Sequence, residues 1–148
     1  DHYGVPRICF VNKMDRVGAS YERTISSVRQ RLGANPVAVQ MPIGEEAAFK
    51  GVVDILTERA ILWEDDLGRE IREIDIPVDL RAQAAEMRLH LVEKIAETDD
   101  DLTLKYLEGD EITVAELKAA LRRAVNLSRS CQPHVDQLHR RFGPGAGL

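Results

Sequence analysis

The stretch Ile8–Ser20 reads ICFVNKMDRVGAS, and it decides how the first part of the chain is interpreted. Its four leading apolar residues end a short run, Val5–Val11, that is typical of a buried strand in a parallel sheet. A polar group formed by Asn12, Lys13 and Asp15 follows this run at once. Ligands of open α/β sheets bind at the carboxyl ends of strands, so these three side chains are candidate binding residues.

The residues after this polar group predict a helix and a second strand. Ser20–Leu32 has apolar residues at helical spacing, with Ser20 as the N-cap and Gly33 as the stop signal. Pro36–Ile43 is a second strand-like run. In the order strand, helix, strand, the helix would be a crossover, so residues 1–44 predict part of a parallel α/β sheet.

Residues 45–127 change in character and predict a smaller α+β unit. Three strand-like runs bounded by turn signals come first: Gly51–Leu56, Arg59–Glu64 and Arg69–Pro77. Three helix-like runs follow: Asp79–Thr98, Asp101–Leu107 and Thr113–Val125. The last begins with a capping box formed by Thr113 and Glu116. Residues 128–148 have no clear period and end in GPGAGL, so we expect an irregular tail.

Composition disfavours several classes of protein. The 148 residues are 44% hydrophobic and 30% charged, which suits one folded domain or two small ones. A net charge of −5 and 5% aromatic residues disfavour a broad cationic or base-stacking nucleic-acid binder. No apolar run approaches the roughly 20 residues of a membrane span. Two cysteines without a disulfide pattern suit a reducing cytosol, so we expect a cytoplasmic protein with no membrane partner. No signal-peptide pattern opens the chain, and because residue 1 is not Met we expect the natural start to lie elsewhere.

The chemistry of the polar group suits a guanine base. A carboxylate at Asp15 can accept hydrogen bonds from a ring N–H and the neighbouring exocyclic amine, a pair that guanine presents and adenine lacks. The Asn12 amide can donate to the far side of the base, and the Lys13 methylene stem can cover its face. The alternative is a plain turn, because Asn and Asp also satisfy strand-end backbone groups. The four-residue pattern N-K-x-D by itself leaves both interpretations open.

Longer stretches add a family resemblance. VNKMDRVGA resembles the guanine-specificity motif of translational GTPases, and RLGANPVAVQMPIG and FKGVVDILTERAILW follow it as in bacterial elongation factor G. The resemblance covers Gly4–Leu127. It implies an α/β fold in which a partial P-loop GTPase parallel sheet (residues 1–44) precedes an inserted α+β subdomain (residues 45–127). It also implies that the three polar residues bind GTP or GDP through its guanine, in a parent that moves tRNA and mRNA on the ribosome.

Parts of that family's site are absent from the sequence. It has no phosphate loop of the form G-x-x-x-x-G-K-[ST], and neither the family's Asp-rich switch motif nor its catalytic His precedes Asn12. The family's last guanine-contacting motif should follow Leu127, where the sequence reads SRSCQPHVDQL instead. No residues stand at zinc or calcium spacing. We therefore predict no catalytic residue, no metal ligand and no GTP hydrolysis by this chain, although the parent would use magnesium. Whether the chain is an enzyme stays open.

A binding module is the second candidate function. Glu86, Glu93 and Glu97 are spaced i, i+7 and i+11, so they share one face of the predicted long helix. By the resemblance, the inserted subdomain contacts the ribosomal stalk protein, whose basic residues such a face would complement. The other interpretation is a solvated helix face. A relative of peptide chain release factor 3 is disfavoured, because NKMDRVGA and LGANPVAVQMPIG together resemble elongation factor G.

Overall fold

A computed structural model of the chain describes residues 9–33, 36–65 and 69–126. These residues form a mixed α and β structure with four helices and four strands, in the order α1 (Tyr21–Leu32), β1 (Gln40–Ile43), β2 (Gly51–Asp54), β3 (Arg59–Trp63), β4 (Ile71–Ile74), α2 (Arg81–Ala96), α3 (Asp100–Glu108) and α4 (Val114–Asn126). Most of the predicted strand Val5–Val11 and the whole predicted tail, residues 128–148, lie outside the described residues.

Helix α1 begins and ends where the sequence predicts. Ser20 has an extended backbone, and its Oγ accepts a hydrogen bond from the Arg23 N–H at 3.4 Å. The Thr24 hydroxyl also donates to the Ser20 carbonyl oxygen at 2.8 Å. Gly33 ends the helix in the left-handed conformation, which a glycine adopts without steric cost. The capping prediction is therefore confirmed at both ends.

The four strands form one sheet in the order β1-β2-β3-β4, and each neighbouring pair is antiparallel. Val53 of β2 lies opposite Met41 on one side and Ala60 on the other, and Ala60 lies opposite Ile74. The tight turn between β2 and β3 is stabilised by the Asp54 carboxylate, which accepts hydrogen bonds from the Leu56 and Thr57 N–H groups. Short connections of this kind join antiparallel neighbours.

This topology differs from the parallel sheet expected for residues 1–44. β1 covers only the second half of the predicted run Pro36–Ile43, and its partner is β2, which runs antiparallel to it. Cys9–Val11, the described part of the earlier predicted strand, is not in a strand, and Cys9 is half-buried. A continuous apolar run indicates that a segment is buried. It does not indicate which strand lies beside that segment or in which direction that strand runs, so the sequence pattern could not specify the pairing of β1 with β2. No parallel pair occurs within residues 9–33, 36–65 and 69–126.

The core lies between the sheet and the long helices. The residues with the most deeply buried side chains are Val37, Val53, Ile55, Leu91, Ile95, Leu117 and Leu121. The helix-like run Asp79–Thr98 contributes residues at helical spacing: Ala84, Leu91 and Ile95 are buried in this cluster, and Leu80 and Met87 pack against it. Burial of such side chains supplies most of the stability of a small domain.

Polar contacts fix the ends of the remaining helices. The capping box of α4 is confirmed: the Glu116 carboxylate accepts from the Thr113 N–H at 2.9 Å, and the Glu116 N–H donates to the Thr113 hydroxyl. Asp99 caps α3 by accepting from the Leu102 N–H and forms an ion pair with Arg123 of α4. Two neighbouring helices are thus joined by polar contacts as well as by the core.

An aromatic pair lies at the end of the hairpin between β2 and β3. The Phe49 and Trp63 rings have centroids 5.8 Å apart and are tilted by 35°. Phe49 directly follows a short 3-10 turn, Glu46–Ala48, that connects β1 to β2.

Within the described ranges, no helix has both the length and the apolar composition needed to cross a bilayer.

Candidate functional site

The three predicted base-binding residues lie together in the turn that leads into α1. Asn12, Lys13 and Asp15 are all exposed, whereas Met14 between them is only 5% exposed. Met14 therefore anchors the turn to the protein, and its neighbours present their polar side chains to solvent.

The conformation of the turn is set by its own hydrogen bonds. Lys13 has a positive φ of 61°, which is unusual for a residue with a side chain. Its N–H donates to the Asn12 Oδ1 at 2.7 Å, and its carbonyl oxygen accepts from the Arg16 N–H at 3.2 Å. Because the Asn12 oxygen accepts a hydrogen bond within the turn, its NH2 group is the part of the side chain that can donate to a ligand.

The Asp15 carboxylate is the acceptor group of this turn. Its side chain is 42% exposed, and no N–H or O–H of the described residues donates a hydrogen bond to it. The Arg16 Nε lies 3.8 Å from Asp15 Oδ2, and the arginine side chain is 74% exposed, so this ion pair is weak. Both carboxylate oxygens can thus accept hydrogen bonds from a ligand.

Contacts to a distant segment hold the turn in place, and sequence reasoning missed them. The Glu46 N–H donates to the Met14 carbonyl oxygen at 2.8 Å, and the Glu46 carboxylate accepts from the Gly18 N–H at 2.7 Å. The Glu45 carboxylate accepts from the Tyr21 N–H at 2.8 Å. The only sequence signal was the pair of adjacent carboxylates after β1, and nothing in that pattern names a partner.

Tyr21 provides a further connection between α1 and the sheet. Its hydroxyl donates to the Gln40 carbonyl oxygen at 3.1 Å, and both residues are buried. Burial raises the pKa of the Tyr21 hydroxyl well above its ordinary value, while the positive charge of Arg29 opposes this change. The hydroxyl therefore remains a neutral donor over the physiological range.

An open groove of about 460 Å³ runs beside α1 and does not include the predicted site. Gly18, Val28 and Leu32 line it together with five polar residues: Ser20, Arg23, Thr24, Ser27 and Arg31. Asn12, Lys13 and Asp15 do not line it. The predicted base-binding residues form an exposed turn outside this groove.

The three glutamates proposed for partner binding occupy different environments. Glu86 and Glu93 are exposed on α2, and Leu89 between them is 59% exposed. Glu97 is the C-cap of this helix, and its carboxylate lies 2.6 Å from the Lys94 ammonium group. That hydrogen bond raises the pKa of Lys94, which is therefore held in its charged form. The structure thus groups Glu86, Leu89 and Glu93, while the charge of Glu97 is already paired.

Metal coordination finds no support in the described part of the chain. No group of three or more His, Cys, Asp or Glu residues there is arranged to hold a metal ion.

Comparison with known proteins adds a structural likeness. No family model matches the chain. A crystal structure of a protein from Thermus thermophilus is similar to it, with a TM-score of 0.73 and 31% sequence identity. The match covers 92% of this chain and 20% of the Thermus protein, so the chain spans about a fifth of the length of that relative. The mixed arrangement of helices and strands described above therefore also occurs within a much longer chain.

Proposed function

We propose that this chain is the guanine-reading part of a translational GTPase that resembles elongation factor G, the GTPase that moves tRNA and mRNA on the ribosome. One observation carries the proposal. Asn12, Lys13 and Asp15 lie in a single exposed turn directly before α1, and the Asp15 carboxylate accepts no hydrogen bond from any described residue. A plain turn would use that carboxylate to satisfy its own backbone.

Guanine recognition in this turn has a simple chemical basis. The two Asp15 oxygens would accept hydrogen bonds from the guanine ring N–H and the exocyclic amine. The Asn12 NH2 group would donate to the opposite edge, and the Lys13 stem would cover the face of the base. Adenine offers the carboxylate no matching pair of donors, so it would leave a charged acceptor unsatisfied.

The fold proposal follows from the same resemblance. We infer that residues 1–44, which include α1, are part of a P-loop GTPase domain with a parallel sheet. We also infer that residues 45–127 form the inserted α+β subdomain. The antiparallel sheet with α2, α3 and α4 supports the second part of this inference. β1 pairs with β2 across the proposed boundary, so the two parts share a strand pairing.

In this proposal the turn that carries Asn12, Lys13 and Asp15 would contact only the base of GTP or GDP, and its phosphates would be bound by other residues. Magnesium, where the whole protein uses it, would be held together with the phosphates by residues that this sequence does not contain. We therefore expect the chain by itself to recognise guanine without hydrolysing GTP.

The test is a titration of fluorescent GDP, ADP and XDP analogues into the 148-residue chain and into Asp15→Asn. We expect the wild type to prefer the GDP analogue over the ADP analogue. Asn at position 15 offers an NH2 group that suits the second oxygen of xanthine, so the variant should lose about 10- to 100-fold in GDP affinity and gain affinity for XDP. Asp110→Asn, at an exposed position outside the turn, is the matched control. Equal affinity of the wild type for GDP and ADP would refute the proposal.

Docking on the ribosomal stalk protein is a second candidate function, and the surface of α2 favours it. Leu89 is an exposed apolar side chain between Glu86 and Glu93, an arrangement that suits a partner with basic residues around an apolar contact. The cytoplasmic location proposed from composition agrees with such a partner.

Charge reversal tests this second function. Glu86→Lys together with Glu93→Lys should weaken binding of purified stalk protein, and the loss should shrink at high salt because the attraction is electrostatic. Glu97→Lys should have a smaller effect, since Glu97 is already paired with Lys94. Glu22→Lys together with Glu111→Lys, both at exposed positions outside α2, serves as a control of equal charge change. Unchanged affinity in the double variant would exclude this surface as the docking site.

A further inference from the structure

We propose that Glu45 and Glu46 are positioning residues for the base-reading turn, so that the loop between β1 and β2 determines how well guanine is bound. This inference rests on the proposed function. The two glutamates do not touch the base in this proposal. They act through the backbone of the turn that carries Asn12, Lys13 and Asp15.

The hydrogen bonds of Glu46 bracket Asp15 on both sides. The Glu46 N–H holds the Met14 carbonyl oxygen, which belongs to the peptide group directly before Asp15. The Glu46 carboxylate holds the Gly18 N–H three residues further on. With both flanks fixed, the backbone direction at Asp15, and hence the starting point of its side chain, is set by one residue of the distant loop.

Glu45 extends the same arrangement to α1. Its carboxylate accepts from the Tyr21 N–H, the first N–H of the helix, which has no partner within the helix. A negative charge at this position is also favoured by the helix dipole. Hydrogen bonds from backbone N–H groups to carboxylates are stronger than neutral ones, which explains why two acidic residues occur here.

Within the described residues, no ion pair competes for these carboxylates. Among the described residues, no Lys or Arg forms a salt bridge with Glu45 or Glu46. The opposite side of Gly18 is also held, because the Arg23 guanidinium donates to its carbonyl oxygen at 2.9 Å. The charge of the two glutamates is therefore directed to the backbone of the turn and of α1.

The backbone of the loop supports the same conclusion. Glu46 has a φ of 54° and adopts the left-handed conformation, which is unfavourable for a residue with a side chain. This conformation aligns its N–H and its carboxylate with two different groups of the same turn. Backbone outliers of this kind persist where surrounding contacts require them, often at functional positions.

The experiment compares the wild-type chain with Glu46→Ala, Glu46→Gln and the control Glu73→Ala, an exposed residue of β4. The readouts are the Kd values of fluorescent GDP and ADP analogues and the exchange rate of the Gly18 amide by NMR. Glu46→Ala should weaken GDP binding about tenfold and speed Gly18 exchange, the size expected for one lost charge-assisted hydrogen bond. Glu46→Gln keeps an oxygen acceptor, so it should restore most of the affinity and protection.

The outcomes separate this inference from the proposed function. A wild type that binds GDP and ADP equally well refutes the proposed function, and the inference fails with it. A wild type that prefers GDP, with the same Kd in Glu46→Ala, overturns the inference alone. Loss of GDP affinity without rescue by Glu46→Gln also overturns it, because a missing acceptor would then not be the cause.

Discussion

At Gly44 the backbone has a φ of 77°, and a side chain there would overlap the Ala48 carbonyl oxygen. The residue opens the loop that carries Glu45 and Glu46, so its conformation decides where those glutamates lie. Gly109 has nearly the same φ, 76°, but a Cβ added to it would meet nothing within 4 Å. Substitution of either glycine incurs the free-energy cost of a left-handed backbone, and only substitution of Gly44 also incurs the cost of a steric clash. Comparing the two substitutions therefore separates these two costs.

We predict that Gly44→Ala lowers the free energy of unfolding by about 3 kcal/mol and Gly109→Ala by about 1 kcal/mol. Both variants bear the conformational penalty, and only the first also displaces the backbone of the loop. Urea denaturation of the two variants and the wild type measures the difference. Equal losses would mean that the loop relaxes around a side chain at position 44.

Local interactions were the part of the structure that single residues predicted well. The sequence identified Ser20 and Gly33 as the two caps of α1, and it identified Thr113 and Glu116 as the capping box of α4. Each of these caps depends only on residues within, or directly next to, the helix that it ends. The roles of Glu45 and Glu46 were not identified, since their partners are 24 to 32 positions away along the chain. Such contacts depend on how the elements pack, which residue type alone does not specify.

At the scale of elements, Glu116 connects α3 and α4. Its carboxylate lies 2.5 Å from the Lys105 ammonium group of α3 while also capping α4 through Thr113. The hydrogen bond from Lys105, followed by those from Thr113, lowers the pKa of Glu116 from 4.5 to about 2. In turn the same contact raises the pKa of Lys105.

This lowered pKa predicts a pH dependence of stability. A carboxyl group whose pKa is lower in the folded state stabilises that state above its unfolded pKa, and the contribution is lost as the pH falls through the folded pKa. Wild type should therefore melt at a higher temperature than Glu116→Gln at pH 7, and the difference should fade between about pH 4.5 and pH 2. Thermal melts across that range check it, with Glu111→Gln as the control. A difference that persists at pH 2 would contradict the charge-based explanation.

The elements themselves were predicted in kind, and their pairing was predicted only in part. Turn signals in the sequence separated the runs that form β2, β3 and β4. Short loops join these strands, and short loops require neighbouring strands to be antiparallel. For the run Pro36–Ile43, the sequence contained no signal that identified β2 as the strand with which it pairs. Pro36 and Val39 are buried without belonging to a strand, so an apolar run again marked burial and not pairing.

For the whole molecule, the distribution of buried residues divides the described chain into a core and an attached segment. The main cluster extends from Val37 to Leu121, with sheet and helices both contributing. Met14 and Tyr21 are buried as well, but they lie outside this cluster. The turn that carries Asn12, Lys13 and Asp15 is thus attached to the core chiefly by hydrogen bonds and these two side chains.

We predict that native-state hydrogen exchange reflects this division. Amides of β2, β3, α2 and α4 should exchange most slowly, since their opening requires disruption of the core, whereas those of residues 12–21 should open with a smaller free energy. NMR exchange measurements on the intact chain test it. Protection of the Tyr21 amide equal to that of Leu91 would show that the turn opens only when the whole structure unfolds.

The residues of the candidate site were proposed from the sequence, and their arrangement comes from the structure. Asn12, Lys13 and Asp15 were identified because their chemistry matches one base edge, and they do lie in one exposed turn. Their support from the loop after β1 joins parts of the chain that the sequence pattern had assigned to separate units. Glu97 was grouped with Glu86 and Glu93 by spacing alone. Spacing does not reveal that Lys94 already pairs with the Glu97 carboxylate.

The aromatic pair at the end of the hairpin gives the chain an intrinsic optical probe. Trp63 is the single tryptophan, and its ring lies against Phe49, the residue that directly follows the Glu46–Ala48 turn. A rearrangement of that turn that displaces the Phe49 ring would alter the surroundings of the indole. Emission from unlabelled protein can therefore report, in real time, whether a change at the turn that carries Asn12, Lys13 and Asp15 reaches the sheet.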